Sequence, residues 1–399
     1  MKNGWPTATL GEICGFQNGF AFKSKSFKPT GCPILRISNI QDDCVDIEKL
    51  VFFDPKDYRE DLDRYRIVEG DLLIAMSGAT TGKLGFNTES TVFYLNQRVG
   101  QFEPGKQLDK RFLYYFLSTQ VEENLRISAG AAQPNLSTEQ IKGFALPVPP
   151  LPEQRRIVGI LDEAFDGIAT AKSNAEQNLQ NARALFESHL NAVFSQRSDG
   201  WVANDEPLAN FCELIVDCEH KTAPTQGSGI PSIRTPNIGK GRLLLDGVYR
   251  VSEETYKAWT RRAEPRAGDL ILAREAPAGN VGVIPKNARV CLGQRTVLIR
   301  PKATTFDPLF LAYQLLSAQM QIRLLGHSRG ATVQHVNMKD IRALHLESFP
   351  SLSTQKQLVT TINALVDQGD DLISIYQRKL AAIDELKKSL LHQAFSGKL

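Results

Sequence analysis

The chain has 399 residues, 42% of them hydrophobic and 23% charged, with a formal net charge of +3. This is the composition of an ordinary globular protein long enough for two or three domains. No apolar run approaches the roughly 18 residues that a membrane-spanning helix needs, and the net charge by itself says little about a polyanionic partner. The opening Met1-Lys2-Asn3-Gly4-Trp5-Pro6 lacks the apolar core of a signal peptide. Six cysteines without framework spacing are expected to be reduced thiols in a cytoplasmic protein.

From Trp5 to Phe144, short β-rich runs (Ile34 to Ile40, Asp71 to Ala75, Val92 to Leu95) alternate with Gly, Asn and Pro punctuation. A helix is predicted over Lys110 to Leu125, where Phe112, Tyr115, Phe116 and Leu125 fall at helical spacing. The prolines of Ala145 to Pro152 remove backbone donors and bias their neighbours to extended geometry, which predicts a stiff connector. Glu153 to Ser195 then follows a heptad through Ile157, Leu161, Ala164, Ile168, Ala171, Ala175, Asn178, Ala182 and Leu185. After Pro350 the pattern returns in Leu358, Ile362, Leu365, Gly369, Leu372, Tyr376, Lys379, Ile383 and Leu386. Each stretch amounts to roughly 65 Å of helix. The first offers Ala where the second offers Leu, Tyr or Ile, so the pair is expected to pack antiparallel. The alternative is two surface helices, each lying on its own domain.

The rest of the chain is also written twice, at an offset of about 198 residues, far beyond a solenoid period. Cys32-Pro33-Ile34-Leu35-Arg36-Ile37-Ser38-Asn39-Ile40 returns as Ile230-Pro231-Ser232-Ile233-Arg234-Thr235-Pro236-Asn237-Ile238. Gly70 to Ala75 returns as Gly268 to Ala273, and Gln97-Arg98 as Gln294-Arg295. The expected architecture is α+β: two mixed α/β domains (1–150 and 198–350) joined by two long antiparallel helices (151–197 and 351–399) as an intramolecular coiled coil.

Ser77-Gly78-Ala79-Thr80-Thr81-Gly82-Lys83-Leu84 resembles a phosphate-binding loop, but Ser77 replaces its leading glycine and Leu84 its Mg²⁺-holding hydroxyl. The second copy, Arg274 to Gly282, has no lysine at all. Cys212, Cys218 and His220 lack zinc-knuckle spacing, so no metal is expected. No S-adenosylmethionine loop with its Asn/Asp-Pro-Pro-aromatic tetrapeptide, no G-x-S-x-G and no H-E-x-x-H occurs. With no catalytic residue to name, the chain reads as a binding protein.

Candidate contacts are polar loop residues at equivalent places in both copies. They are Lys23, Ser24, Lys25 and Lys28; Arg36 and Asn39 with Arg234 and Asn237; Ser77, Thr80, Thr81 and Lys83 with Arg274 and Asn280; and Gln97 and Arg98 with Gln294 and Arg295. Gln133 and Asn135, His220 and Lys221, and Arg329, Thr332, Gln334 and His335 complete the set. Arg can grip guanine and Asn or Gln adenine, and lysine clusters neutralise phosphates. Residues 201–350 also carry thirteen arginines. Residues kept in both copies can instead be structural, so unlike positions, such as Lys83 against Val281, are the better candidates for sequence choice.

The duplication resembles the specificity subunits of type I restriction-modification enzymes. So do Val68 to Ile74 with the Gly-rich turn that follows, Leu146-Pro147-Val148-Pro149-Pro150-Leu151-Pro152-Glu153-Gln154 opening a long helix, and the ending Leu391-His392-Gln393-Ala394-Phe395-Ser396-Gly397-Lys398-Leu399. The second copy departs in Phe349 to Gln355, which has lost most of the prolines. The resemblance implies two target-recognition domains, each reading half of a split double-stranded DNA site. It implies helices that set the spacer and dock two modification subunits, with restriction subunits joining the complex. S-adenosylmethionine, ATP and Mg²⁺ would then belong to those partners and no cofactor to this chain. The rival readings are a self-contained methyltransferase or nuclease fragment, and a duplicated protein-interaction scaffold.

Overall fold

The computed structural model describes residues 4–127, 135–195, 200–326 and 335–399, with the backbone alone for 122–127. The chain forms two compact units, Met1–Asn174 with Lys379–Leu399, and Ala175–Arg378.

The first unit is organised around the strand Leu72–Ala75, buried at every position. It lies inside a five-stranded sheet of order Cys14–Asn18, Val99–Pro104, Leu72–Ala75, Leu84–Phe86, Asp43–Cys44. Because side chains alternate along a strand, Leu72 and Ile74 join a core with Phe112 and Phe116 of the helix Lys110–Ile127. Leu73 and Ala75 face a second core with Ile34, Phe53, Ile67 and Phe93. That second core belongs to a four-stranded sheet of order Val51–Phe53, Cys32–Leu35, Phe93–Leu95, Arg66–Ile67. A strand with two buried faces reads as a continuous apolar run, which is how Leu72-Leu73-Ile74-Ala75 reads.

The second unit repeats this plan. Its sheet runs Cys212–Asp217, Thr296–Pro301, Leu270–Ala273, Val281–Val283, Gly241–Arg242. Leu270 and Leu272 face one core, Ile271 and Ala273 the other. The short outer parallel pairing needs glycine in both units. A Cβ on Gly85 would stand 2.3 Å from the Cys44 carbonyl oxygen, and one on Gly282 2.7 Å from that of Arg242.

The two long helices are Leu151–Ser195 and Leu352–Phe395. Within the first unit they run antiparallel: Arg156 Nη2 donates to the Leu399 carbonyl at 2.7 Å and Lys172 Nζ to Asp384 at 2.9 Å. Phe395 packs edge-on against Phe112 and Phe116. Within the second unit the sense is the same, with Gly369 beside the Ala182 carbonyl and Leu190 and Phe194 sharing a core with Val359 and Ile362.

Several local expectations change. The run Ile34 to Ile40 is extended only as Cys32–Leu35, and Ile37–Asn39 turns as a 3-10 helix. The central helix begins at Leu151, so Pro152 lies in its first turn, where the N–H that proline lacks would have no partner anyway. Ala145–Pro147 is a strand paired with Thr7–Thr9, and Ser348–Phe349 pairs likewise with Val202–Ala203.

The helix register also drifts. Ile157, Leu161 and Ala175 are buried, and Ala164, Ile168 and Ala171 half-buried, as the heptad predicts. Beyond them Leu179 is buried in place of Asn178, and Phe186 half-buried in place of Leu185. On the second helix Ile362 and Ile383 are buried and Leu358, Leu365 and Tyr376 half-buried. Leu372 is 37% exposed, while Ile373 is half-buried beside it. A straight helix of 3.6 residues per turn slips against a 3.5-residue repeat, so one step of four replaces a step of three.

Candidate DNA-reading surface

In each unit the loop after the central strand folds against a 3-10 turn. Thr80 Oγ1 donates to the Ile37 carbonyl at 2.9 Å, and Lys83 Nζ to Gln41 Oε1 at 2.7 Å. In the second unit Thr235 Oγ1 donates to the Ala276 carbonyl at 3.0 Å and Asn280 Nδ2 to the Ile238 carbonyl at 2.9 Å. Backbone pairing shows that Lys83 corresponds to Asn280 rather than Val281: their carbonyls accept from Ala75 and Ala273 respectively. The second loop is one residue shorter, which a gapless reading of the sequence misses. A strand, Leu84–Phe86, follows the first loop, so no helix N-terminus is present to hold a nucleotide phosphate.

Some predicted contact residues hold the fold. Asn39 is 2% exposed; its Oδ1 accepts the Arg36 N–H and its Nδ2 donates to the Asp46 carbonyl. Asn237 caps Arg234 in the same way at 3.1 Å. Thr81 is buried and donates to the Gly78 carbonyl. Arg36 is half-buried, with Nη2 on the Lys49 carbonyl at 3.3 Å. Lys28 is paired with Asp57 at 2.9 Å and Asp54 at 3.5 Å, whose carboxylates hold its ammonium pKa up. A shared Asn at a turn therefore bears on folding, not on base choice.

Others lie open. Lys23, Ser24 and Lys25 are exposed around a short 3-10 turn. Gln97 and Arg98 are exposed, and Ser77 is half-buried and bridged by its backbone to the exposed Asn135. Gln133, Arg329, Thr332 and Gln334 lie outside the described residues.

The second unit draws its candidates into one connected surface. Gln294 Nε2 donates to the His220 carbonyl, and Gln294 Oε1 accepts from Thr222, both at 3.2 Å. His220 Nε2 meets Asp217 at 3.0 Å, and Asp217 also pairs with Arg262. Lys221 is exposed, its carbonyl accepting the Trp259 indole N–H at 3.4 Å. Arg234 stacks on Tyr249, 4.2 Å from the ring centroid, and both line a hollow of about 270 Å³ with Thr222, Ser232 and Gln294. Beside it Arg274 Nε donates to the Val336 carbonyl at 2.8 Å and its Nη2 meets His335 Nε2 at 2.9 Å. Arginine has no acceptor to offer, so Nε2 accepts and the imidazole proton sits on Nδ1, which faces Glu275 Oε1 at 3.3 Å. Glu275 Oε2 pairs with Arg295 at 2.5 Å.

Sequence reasoning missed Glu275, Tyr249, Arg262 and Thr222. An isolated acid or tyrosine carries no periodic or motif signal. Contacts across the fold place them: the backbone pairing of Arg274 with Arg295 and Val336 sets Glu275, while Tyr249 meets Arg234, Arg262 meets Asp217 and Thr222 meets Gln294. The tempting thiols are inert: Cys212 and Cys218 are buried, and burial pushes Cys212 up to about 12. Among the described residues no group of three or more His, Cys, Asp or Glu is placed to hold a metal ion, and no helix is long and apolar enough to cross a membrane.

Two mixed α/β units built on the same five-stranded sheet, each with a smaller second sheet (four strands in one, three in the other), a polar loop surface and a part of both long helices, define a class of protein with duplicated recognition domains. The family described as type I restriction modification DNA specificity domain matches residues 2–181 and 221–383. The chain belongs to that family and is a type I DNA specificity subunit. It is 24% identical over 426 residues to the type I restriction enzyme EcoBI specificity subunit of Escherichia coli, covering 100% of this chain and 87% of that protein. It is 25% identical over 409 residues to the putative MjaX specificity subunit of Methanocaldococcus jannaschii, covering 99% and 93%. Its fold resembles a structure described as the basis of complex assembly and conformational transition of the type I R-M system (TM-score 0.78, 19% identity, 100% and 99% covered). It also resembles the HsdS subunit from Thermoanaerobacter tengcongensis (0.59, 19%, 100% and 98%).

Proposed function

We propose that each recognition domain, 1–150 and 198–350, reads one half of a bipartite asymmetric double-stranded DNA site. In this reading the helices, 151–197 and 351–399, set the number of unread base pairs and dock two modification subunits. The supporting observation is the pairing of one sheet topology, present twice, with unlike side chains at matching places: Ser77 against Glu275, Lys83 against Asn280, Asn135 against His335. A common scaffold with unlike tips suits two unlike half-sequences, since backbone-directed contacts position and base-directed contacts specify. Helices of 45 and 44 residues, rising 1.5 Å per residue, are long enough to act as a ruler. The chain is itself non-catalytic. S-adenosylmethionine-dependent adenine methylation, for which the base leaves the duplex, and ATP- and Mg²⁺-dependent restriction belong to partner subunits in the cytoplasm.

The test is an exchange. Replacing 1–150 with the matching domain of another family member, in complex with the modification subunits, should change one half of the methylated sequence and leave the other. Loss of both halves would count against independent reading. Inserting one heptad into both helices should lengthen the spacer and keep both half-sequences; an unchanged spacer removes the ruler. Methyl transfer by the purified chain alone would instead establish the enzyme reading.

A further inference from the structure

We infer that Arg295, held by Glu275, reads a guanine in the half-site of the second recognition domain, and that Glu275 is the positioning residue. The inference rests on the DNA-reading function proposed above.

Three observations carry it. First, Glu275 is an acid in a surface otherwise rich in Arg, Lys and His, and both of its oxygens are engaged, by Arg295 and His335. With one cationic or N–H partner on each oxygen and only 20% of its side chain exposed, Glu275 is placed to orient Arg295 rather than to meet a base itself. Second, the Arg295 side chain remains 56% exposed. Beyond its bond to Glu275, no side-chain partner for its Nε and Nη2 groups occurs among the described residues. Guanine presents O6 and N7 in the major groove, the pair of acceptors that such a fork matches. Third, Arg295 has φ +67°, and among the described non-glycine residues only Asp43 shares a positive φ. A backbone conformation of this kind persists where surrounding structure enforces it, often at ligand sites.

Charge favours a base over a phosphate. An unpaired arginine attracts a phosphate, but Glu275 cancels that charge and would repel the oxygens. A base edge is neutral and carries no such penalty, so the pair favours the base edge. The equivalent place in the first unit shows the contrast: Ser77 stands for Glu275, and Arg98 is exposed with no side-chain partner among the described residues. Arg98 is therefore free to bind phosphate.

The experiment uses the full chain with its modification subunits and selects bound duplexes from a randomised library, for wild type, Arg295→Lys, Glu275→Gln and Glu275→Asp. Wild type should show one guanine-dominated position in the half-site that follows residues 198–350. Arg295→Lys should reduce discrimination there by roughly five- to 150-fold, the worth of one bidentate base contact. Glu275→Gln should relax the same position, and Glu275→Asp should restore part of it, with the first half-site unchanged as the control for folding. Two results overturn the inference: guanine preference intact in every variant, or uniform weakening across sequences with a shallower salt dependence, the signature of a phosphate contact. If the wild-type complex selects no bipartite sequence, the proposed function falls with it. A bipartite site that ignores these substitutions removes the inference alone.

Discussion

Gln355 accepts the backbone N–H of Asp307 through Oε1 at 2.9 Å while its Nε2 donates to the carbonyls of Thr305 and Pro350, both at 2.9 Å. Gln154 repeats the arrangement with Asp109 at 2.8 Å, Gln107 at 2.9 Å and Pro149 at 2.8 Å. Both side chains are 0% exposed. Each long helix thus begins with one amide that satisfies three backbone groups of the domain preceding it. Asp307 in turn caps its own helix through Leu309 and Phe310.

Removing either amide should therefore destabilise its unit. Gln154→Ala or Gln355→Ala leaves buried backbone groups unpaired, a loss of about 1–3 kcal/mol each. The Glu variants should lose more, because an ionised carboxylate only accepts and would be buried with its charge. Urea denaturation of the four variants checks the order; equal stability of Ala and Glu would contradict it.

Asp269 and Arg300 form a doubly hydrogen-bonded pair at 2.8 and 2.7 Å, with side chains 3% and 13% exposed. The corresponding Asp71 accepts instead from the neutral Gln101 at 2.9 Å. Asp269→Ala strands a guanidinium and should cost about 3–5 kcal/mol. Asp71→Ala strands the Gln101 amide and unpairs Lys110, whose ammonium lies 3.7 Å from the carboxylate but is 40% exposed and stays hydrated, so it should cost less, about 1–3 kcal/mol. Thermal melts of the two variants compare them directly.

Lys25 is exposed and makes no ion pair among the described residues, whereas Lys28 is held by Asp57 and Asp54. If the loop touches phosphate, Lys25→Ala should lower the slope of log affinity against log salt by about 1. Lys28→Ala should leave it nearly unchanged. Anisotropy titrations of the complex over several salt concentrations distinguish them; equal effects would place the loop's role elsewhere.

Burial pushes the thiols of Cys14, Cys212 and Cys291 up to about 12, well above the ordinary thiol range. At pH 8 a thiolate-selective reagent should modify the exposed Cys44 rapidly and these three slowly. The folded state binds the proton more tightly than the unfolded one, so this contribution is complete below pH 9 and declines as pH rises from about 9 to about 12. Mass spectrometry of timed alkylation, and melts at pH 8 and 10, test the two halves.

Much of the molecule could be read before it was seen folded. The strands Leu72 to Ala75 and Leu270 to Ala273 follow from short apolar runs repeated in the sequence, and the two helices with Ile157 and Ile362 in their seams from periodicity. The unlike partner of Lys83 did not, because a one-residue gap in a loop leaves no trace in composition. Leu372 was misplaced for a related reason: heptad counting assumes a period that a straight helix keeps only approximately.

By itself the chain's order of residues determined that there are two copies of one domain, each tied to a long helix, since hydrophobic pattern and turn residues act locally. Only the tertiary structure decided which polar residues serve the fold and which face outward. Asn39 and Arg295 are equally polar in sequence. One is buried against Arg36 and Asp46; the other stands in solvent beside Glu275. Burial and pairing arise from contacts between segments distant along the chain, and no local pattern encodes them.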